Sequence, residues 1–316
     1  MALPRISKRK ALHEWTLYFF ILPGLLLIGT FSYYPAVSAV FHSFFDWEGG
    51  DVKQFTGWLN YRRLLQDDIL WKSFITVAIL IIANFFKMVP AIAMAVVIHR
   101  MRSDRWQYWY RVLLVVPMIV PGLVTLFIWK FFFDPNLGIL NRFLDATGLK
   151  SVLVSLDHTF GWDVFHAHLP IAWLSQPDLI IPSLIIWGFP WIGAVGVLIY
   201  LAGLQSIGTE VYEAAELDGV NSWQKFIHIE FPLIMTQIRI SVVLLVIGTI
   251  QGFGLPLLLL GPNGGPGARG MVPGLWMFNR AFSAGEFGYS CAIGMMLFVF
   301  ILILTWINNK YIRVEK

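Results

Sequence analysis

Charge is scarce in this chain. Asp, Glu, Lys and Arg make up 13% of its 316 residues, against about 25% in an ordinary soluble domain. With 57% of residues hydrophobic and a mean hydropathy of +0.68, a water-soluble chain of this length could not hide its apolar surface, so the default class is membrane. Cysteine is nearly absent. Cys291 alone excludes an intrachain disulfide and any multi-thiolate metal site. It sits in an apolar run and reads as a packed helix residue. The net charge of +4 is too small to suggest a nucleic-acid partner in so apolar a chain. A phosphate loop is missing as well. The cluster Gly261-Pro262-Asn263-Gly264-Gly265-Pro266-Gly267 resembles one superficially, but Gly265 and Gly270 are followed by Met271, where Lys and then Ser or Thr are needed. It reads as turns, so no ATP site is expected in this chain.

What the chain has is long runs without charge. They stand between Glu14 and Asp46, Lys72 and Arg100, Arg111 and Lys130, Asp178 and Glu210, Arg239 and Arg269, and Glu286 and Lys310, interrupted only by Lys87 in the second. Roughly 20 apolar residues cross a bilayer as a helix. The pattern predicts an all-α polytopic membrane protein with six transmembrane helices, at about 15–42, 73–99, 111–133, 179–204, 234–260 and 287–308. Residues 1–14 read as a cytoplasmic tail and 15–316 as a single transmembrane domain. Pro23, Pro90, Pro117, Pro121 and Pro190 fall inside spans, where neighbouring helices can satisfy the freed carbonyls. The first span reads as a signal anchor, since no small-residue cleavage site precedes a polar mature chain.

Short basic segments orient the spans. Arg5, Lys8, Arg9 and Lys10 precede the first, Arg100, Arg102 and Arg105 separate the second and third, and Lys310, Arg313 and Lys316 follow the sixth. With six spans these fall on one side, so both termini are expected in the cytoplasm. The loop between spans four and five then also faces the cytoplasm, although Glu210, Glu213, Glu216, Asp218 and Glu230 outnumber its Lys225. Acids contribute little to orientation, and their concentration suggests that this loop serves a partner. The longer loops, about 46–71, 134–178 and 262–286, face outward.

The acidic loop, 207–232, reads as two short helices at an angle. Thr209 can cap the first, and Glu210 and Glu213 suit its positive end. Gly219 can end it in the left-handed conformation. Asn221 can cap the second, with Gln224 completing a capping box. Pro232 turns the chain back toward the membrane. Ala214 and Ala215 leave a low-relief face for close approach, and Glu213 and Asp218 supply charge. A plain solvated loop accounts for the acids and the glycine. It does not account for two capped helices carrying Trp223, Phe226 and Ile229.

Glu213, Ala214, Ala215, Asp218, Gly219, Ile229 and Pro232 match the Glu-Ala-Ala signature of binding-protein-dependent ABC importer permeases. Phe231 replaces the usual Leu, and Thr236 stands where a further proline is common. Tyr34-Pro35, Ser43-Phe44, Asn60-Tyr61, Gly138-Ile139-Leu140-Asn141, Leu201-Ala202-Gly203-Leu204-Gln205, Gly264-Gly265-Pro266 and Phe287-Gly288-Tyr289 follow in the order of the carbohydrate branch. The resemblance covers nearly the whole chain, and the pattern is similar to the maltose- and glycerol-phosphate-type permeases. It implies the type I importer permease fold, in the bacterial or archaeal cell membrane. It also implies a coupling helix in the signature loop that docks on a cytoplasmic ATPase, two such ATPases that use ATP and Mg, a second permease, and an extracytoplasmic solute-binding protein. The chain itself would bind no cofactor and catalyse no reaction.

For the solute, the residues offer candidates only. Lys87 lies mid-span, where a charge costs roughly 2.5–3.5 kcal/mol on insertion scales. It reads either as a pathway cation, for an anionic or hydroxyl-rich solute, or as a structural lysine capping carbonyls exposed at Pro90. Asn84, Trp187, Trp191 and Gln251 also fall within spans. Aromatic faces with amides suit a sugar, while packing explains most membrane aromatics. Asp157, His158, His166 and His168 lie in the outer stretch 151–172. Their spacing fits no zinc pattern, so no metal site is expected and a loop contacting the binding protein is favoured. Two rival classes are an ion-coupled secondary transporter, which would show inverted repeats and intramembrane carboxylates, and a membrane-embedded enzyme.

Overall fold

The computed structural model describes residues 8–311. The basic residues Arg5, Arg313 and Lys316, and the first half of the expected 1–14 tail, lie outside them. Helices α1 (Lys8–Ile28) and α2 (Tyr34–His42) are joined through a π-turn at Gly29–Tyr33, and a hairpin of β1 (Phe45–Trp47) and β2 (Lys53–Phe55) follows. Next come α3 (Leu59–Leu65), α4 (Asp68–Phe86), α5 (Met88–His99), α6 (Asp104–Val115), α7 (Gly122–Phe132), α8 (Ile139–Ala146) and α9 (Leu149–Phe160). Then follow α10 (Pro177–Ile186), α11 (Ala194–Gln205), α12 (Thr209–Leu217), α13 (Ser222–Lys225), α14 (Phe231–Leu233) and α15 (Met235–Gln251). The last are α16 (Gly254–Leu260), α17 (Pro273–Phe278) and α18 (Phe287–Tyr311).

Among the described residues, three helical stretches are long and apolar enough to cross a bilayer unbroken, at Tyr18–His42, Asp68–His99 and Phe287–Asn308. Three further pairs qualify only as bent spans. Asp104–Ile119 and Gly122–Phe132 meet at 87°, Ala194–Gln205 and Thr209–Leu217 at 72°, and Ser222–Leu233 and Met235–Gln251 at 66°. The first bend falls inside expected span three, while the other two lie where the elbow's arms join α11 and α15; the helices expected for spans three, four and five are each interrupted within their own length. In the third, Pro121 drives Val120 into extended backbone, at φ −69° and ψ 125°. In the fourth, the chain is non-helical from Trp187 to Gly193, around Gly188 and Pro190. In the fifth, Gly252 and Phe253 separate α15 from α16. The prolines and glycines that a membrane can tolerate are used here as breaks.

The chain divides into two compact units. One comprises the described residues through Gln66 with Arg280–Met296. In it, β1 pairs antiparallel with β2, Phe45 opposite Phe55. The buried Asn60 donates to the carbonyls of Ser43 and Phe45, both at 2.9 Å, and the Tyr61 hydroxyl meets Ser43 Oγ at 2.8 Å. Gly288 faces the same hairpin. A Cβ there would clash with the Phe45 carbonyl oxygen, so only glycine lets α18 start so close to β1.

The other unit holds Asp67–Asn279 and the chain from Leu297. Its main core sets Ala91, Ile92, Ala95 and Ile98 of α5 against Val197, Tyr200, Leu201 and Leu204 of α11, with Ile234 and Ile238 beneath. Between apolar helices in lipid, van der Waals fit replaces the hydrophobic effect as the driving force. Ala91, Ala95, Gly196 and Gly203 supply the small side chains that such fit requires. A second core gathers Phe133, Leu144, Ile171, Trp173 and Leu179. There the buried Asn141 donates to the carbonyls of Pro135 (2.8 Å) and Ile171 (2.9 Å) and accepts from Trp173 Nε1 (2.8 Å). Asn60 and Asn141, which sequence marks only as weak motif members, are thus each a knot tying a loop to a helix.

Candidate functional site

The elbow hangs from the α5–α11 core, because α11 runs into it and α5 ends beside it. It opens on Gly208, whose extended backbone (φ −64°, ψ 147°) occupies the cap position. Thr209 is the first helical residue and caps nothing, which corrects the sequence expectation. At the other end Gly219 takes φ +70°. Its N–H reaches the Glu216 carbonyl at 3.2 Å, and the Val220 N–H reaches the Ala215 carbonyl at 3.1 Å. This pair of bonds closes a helix through a left-handed residue, a conformation that costs other residues about 1–2 kcal/mol. Asn221 Oδ1 then accepts from the N–H groups of Trp223 (3.0 Å) and Gln224 (2.9 Å), while Gln224 Oε1 accepts from the Asn221 N–H at 3.0 Å. The capping box is formed as the spacing predicts.

The second arm runs past Pro232. Over Phe226–Glu230 the helix widens to a π-turn, with the Phe231 N–H bonded to the Phe226 carbonyl. The proline is absorbed there, and the 66° turn falls two residues later, at Ile234. Across the elbow, Glu213, Ala214, Asp218 and Gly219 are exposed, as are Leu217 and Trp223 at 90% and 67%. Ala215 is 4% exposed and faces inward. The alanine pair is therefore split: Ala214 alone belongs to the low-relief outer face. Ile229 is half-buried and Pro232 exposed.

Sequence reasoning missed what locks the elbow in place. Glu230 is fully buried, and Arg100, the residue after α5, grips it with Nε to Oε1 at 3.1 Å and Nη2 to Oε2 at 2.7 Å. The same Nη2 donates to the Ser222 carbonyl at 2.9 Å. One guanidinium thus holds both ends of the second arm. His99 Nε2 pairs with the Tyr212 hydroxyl at 3.0 Å on the first arm, and Lys225 bridges to Glu216 at 3.1 Å. In sequence Arg100 reads as a topology charge and Glu230 as one more loop acid. The one available signal was an acid set between apolar Ile229 and Phe231.

A second feature is a cavity of 470 Å³ in the same unit. It gathers Asn84 and Lys87 from the α4–α5 junction and Trp187 and Trp191 from the break after α10. Gln251 does not join them; it is exposed at the end of α15, and Thr249 takes the expected place. Asn84 Nδ2 donates to Thr249 Oγ1 at 3.1 Å. Where α10 stops, its last carbonyls need partners. Trp191 Nε1 serves Ile185 at 3.1 Å, and Lys87 Nζ serves Leu184 at 3.4 Å while lying 5.8 Å from the Trp191 ring centre. Lys87 therefore serves the broken end of α10 rather than carbonyls freed at Pro90.

The outer histidines His158, His166 and His168 line a shallow pocket with Asp157, whose carboxylate accepts from the Val164 N–H at 3.0 Å. Among the described residues no three His, Cys, Asp or Glu side chains converge as metal ligands.

Apolar helices, an exposed two-armed elbow and a cavity at helix breaks describe a multi-pass transport component. Residues 89–313 match the family of binding-protein-dependent transport system inner membrane components, and the chain belongs to it. The matched stretch contains the whole elbow together with Trp187 and Trp191, and it begins just past Lys87. A probable ABC transporter permease of Pyrococcus horikoshii is 28% identical, over 94% of this chain and 96% of that protein. A diacetylchitobiose uptake system permease of Streptomyces coelicolor is 29% identical, over 93% and 81%. The fold is shared with a bacterial alginate ABC transporter solved in complex with an alginate pentasaccharide-bound periplasmic protein, with TM-score 0.78, 19% identity and 96% of each chain covered. The chain is an inner-membrane permease component that works with a solute-binding protein.

Proposed function

We propose that this chain is the permease subunit of an ATP-driven importer for a sugar or sugar-like solute, with the elbow at 207–232 as its coupling element. Six spans with both termini in the cytoplasm place the elbow on the inner face. There Glu213, Ala214, Asp218 and Gly219 meet a groove on one of two ATPases. Ala215, which packs inward, the half-buried Ile229 and the exposed Pro232 act by shaping the elbow. ATP and solute each favour one of two packed states, and closure of the ATPases rocks the helices between them. A second, similar permease completes the pathway. The cavity around Asn84, Lys87, Trp187 and Trp191 contributes to that pathway from this side.

The observation that carries this reading is the outer face of the elbow. Leu217 is 90% exposed beside Glu213 and Asp218, on arms fixed by a capping box and a buried ion pair. A rigid, apolar and acidic knob is built to be gripped. The sugar class draws support from the diacetylchitobiose and alginate systems, and from aromatic faces with an amide in the cavity.

The test is Glu213→Lys in the complete importer, reconstituted in vesicles with its ATPases and binding protein. Insertion and folding should be normal, because Glu213 is exposed, and ATP-dependent uptake should be lost. Undiminished uptake would refute the docking role.

A further inference from the structure

Lys87 is the one ionisable residue among those lining the cavity. No carboxylate shares the space, and among the described residues its ammonium has a single hydrogen-bond acceptor, the Leu184 carbonyl at 3.4 Å. That distance is long for an N–H···O bond, which is usually 2.7–3.2 Å. Capping a helix end does not require a charge. One residue further along, the neutral Trp191 Nε1 caps Ile185 at the shorter distance of 3.1 Å. A lysine at bilayer depth is costly, and a poor bond to one carbonyl does not account for it. The remainder of the cavity is neutral: the Asn84 amide, Thr249, two indoles, glycines that keep the walls low, and aliphatic side chains, most of them leucines. Its volume of 470 Å³ falls within the roughly 300–1,000 Å³ of small-molecule sites.

We propose that the solute carries an acidic group, a carboxylate, sulfonate or phosphate ester, on a hydroxyl-rich body, and that Lys87 meets the acid while Trp187 and Trp191 meet the body. This rests on the reading of the cavity as part of the solute pathway. Two ammonium N–H groups remain to be donated, and the missing negative charge is brought by the solute. The cavity is then neutral only when occupied, which favours capture from outside over an empty crossing.

The probe is digalacturonate, compared with its neutral dimethyl ester, titrated by calorimetry into the purified importer complex without binding protein. The acid should bind at least tenfold more tightly than the ester. That preference should vanish in Lys87→Met and persist in Lys87→Arg. Equal binding of both, binding of neither, or an acid preference that survives Lys87→Met overturns the inference. If Lys87→Met fails to assemble, the acid-to-ester ratio on the unmodified complex decides alone. Vesicle uptake separates the two levels of the argument. ATP-driven import of a neutral saccharide without acid preference would sink the charge assignment and leave the importer reading intact. Absence of ATP-driven import of anything the binding protein delivers would sink the importer reading itself.

Discussion

The Arg100–Glu230 pair makes an asymmetric prediction. The Glu230 side chain is 0% exposed, whereas that of Arg100 is 31% exposed. Truncating one partner of a buried ion pair costs about 3–5 kcal/mol, mostly because the other charge is stranded away from water. Arg100→Ala strands a carboxylate with no exposure and also removes the bond to the Ser222 carbonyl, so it should reach that full range. Glu230→Ala leaves a guanidinium that already touches water and keeps Ser222, so its cost should be nearer 1–2 kcal/mol, the scale of lost charge-assisted hydrogen bonds. The double variant should cost less than the sum of the two, since no charge is stranded, with a coupling above about 1 kcal/mol. Unfolding of the purified chain in mixed micelles, followed by tryptophan fluorescence, measures all three. A Glu230→Ala variant as damaged as Arg100→Ala, or strict additivity, would refute the claim that burial of the acid sets the energetics of the elbow.

Further outcomes are expected elsewhere. Asn141→Leu removes three hydrogen bonds at the second core and should destabilise by about 3 kcal/mol at roughly 1 kcal/mol each; increased protease cleavage between α8 and α10 would report it. Gly288→Ala sets a methyl against the Phe45 carbonyl, so the hairpin must move. Cysteine pairs placed at Asp46 and Gln54, opposite each other in the hairpin, should still crosslink in that variant, while yield of the intact chain falls. Normal yield would show that α18 shifts freely.

The class of the protein was legible in sequence because bilayer solvation acts on composition and run length, which are local properties. The elbow was legible for a related reason. Gly219, Asn221 and Gln224 act through backbone bonds spanning only a few residues, so spacing encodes them. The breaks in spans three to five were less so, because a proline or glycine in a membrane helix is compatible with either continuity or interruption, and neighbouring helices decide. Gln251 illustrates the same limit: its position within a span was plain, but whether it faced the cavity depended on how α15 turns and ends.

Sequence by itself determined that the chain is apolar, helical and fitted with an acidic knob, since each of these follows from short-range periodicity and capping. Tertiary structure alone decided that Arg100 closes on Glu230 across 130 residues, that Ala215 turns in while Ala214 turns out, and that Lys87 faces Trp191. These depend on which helices pack together, and in lipid that choice is made by the summed fit of many small contacts, which no single stretch of residues contains.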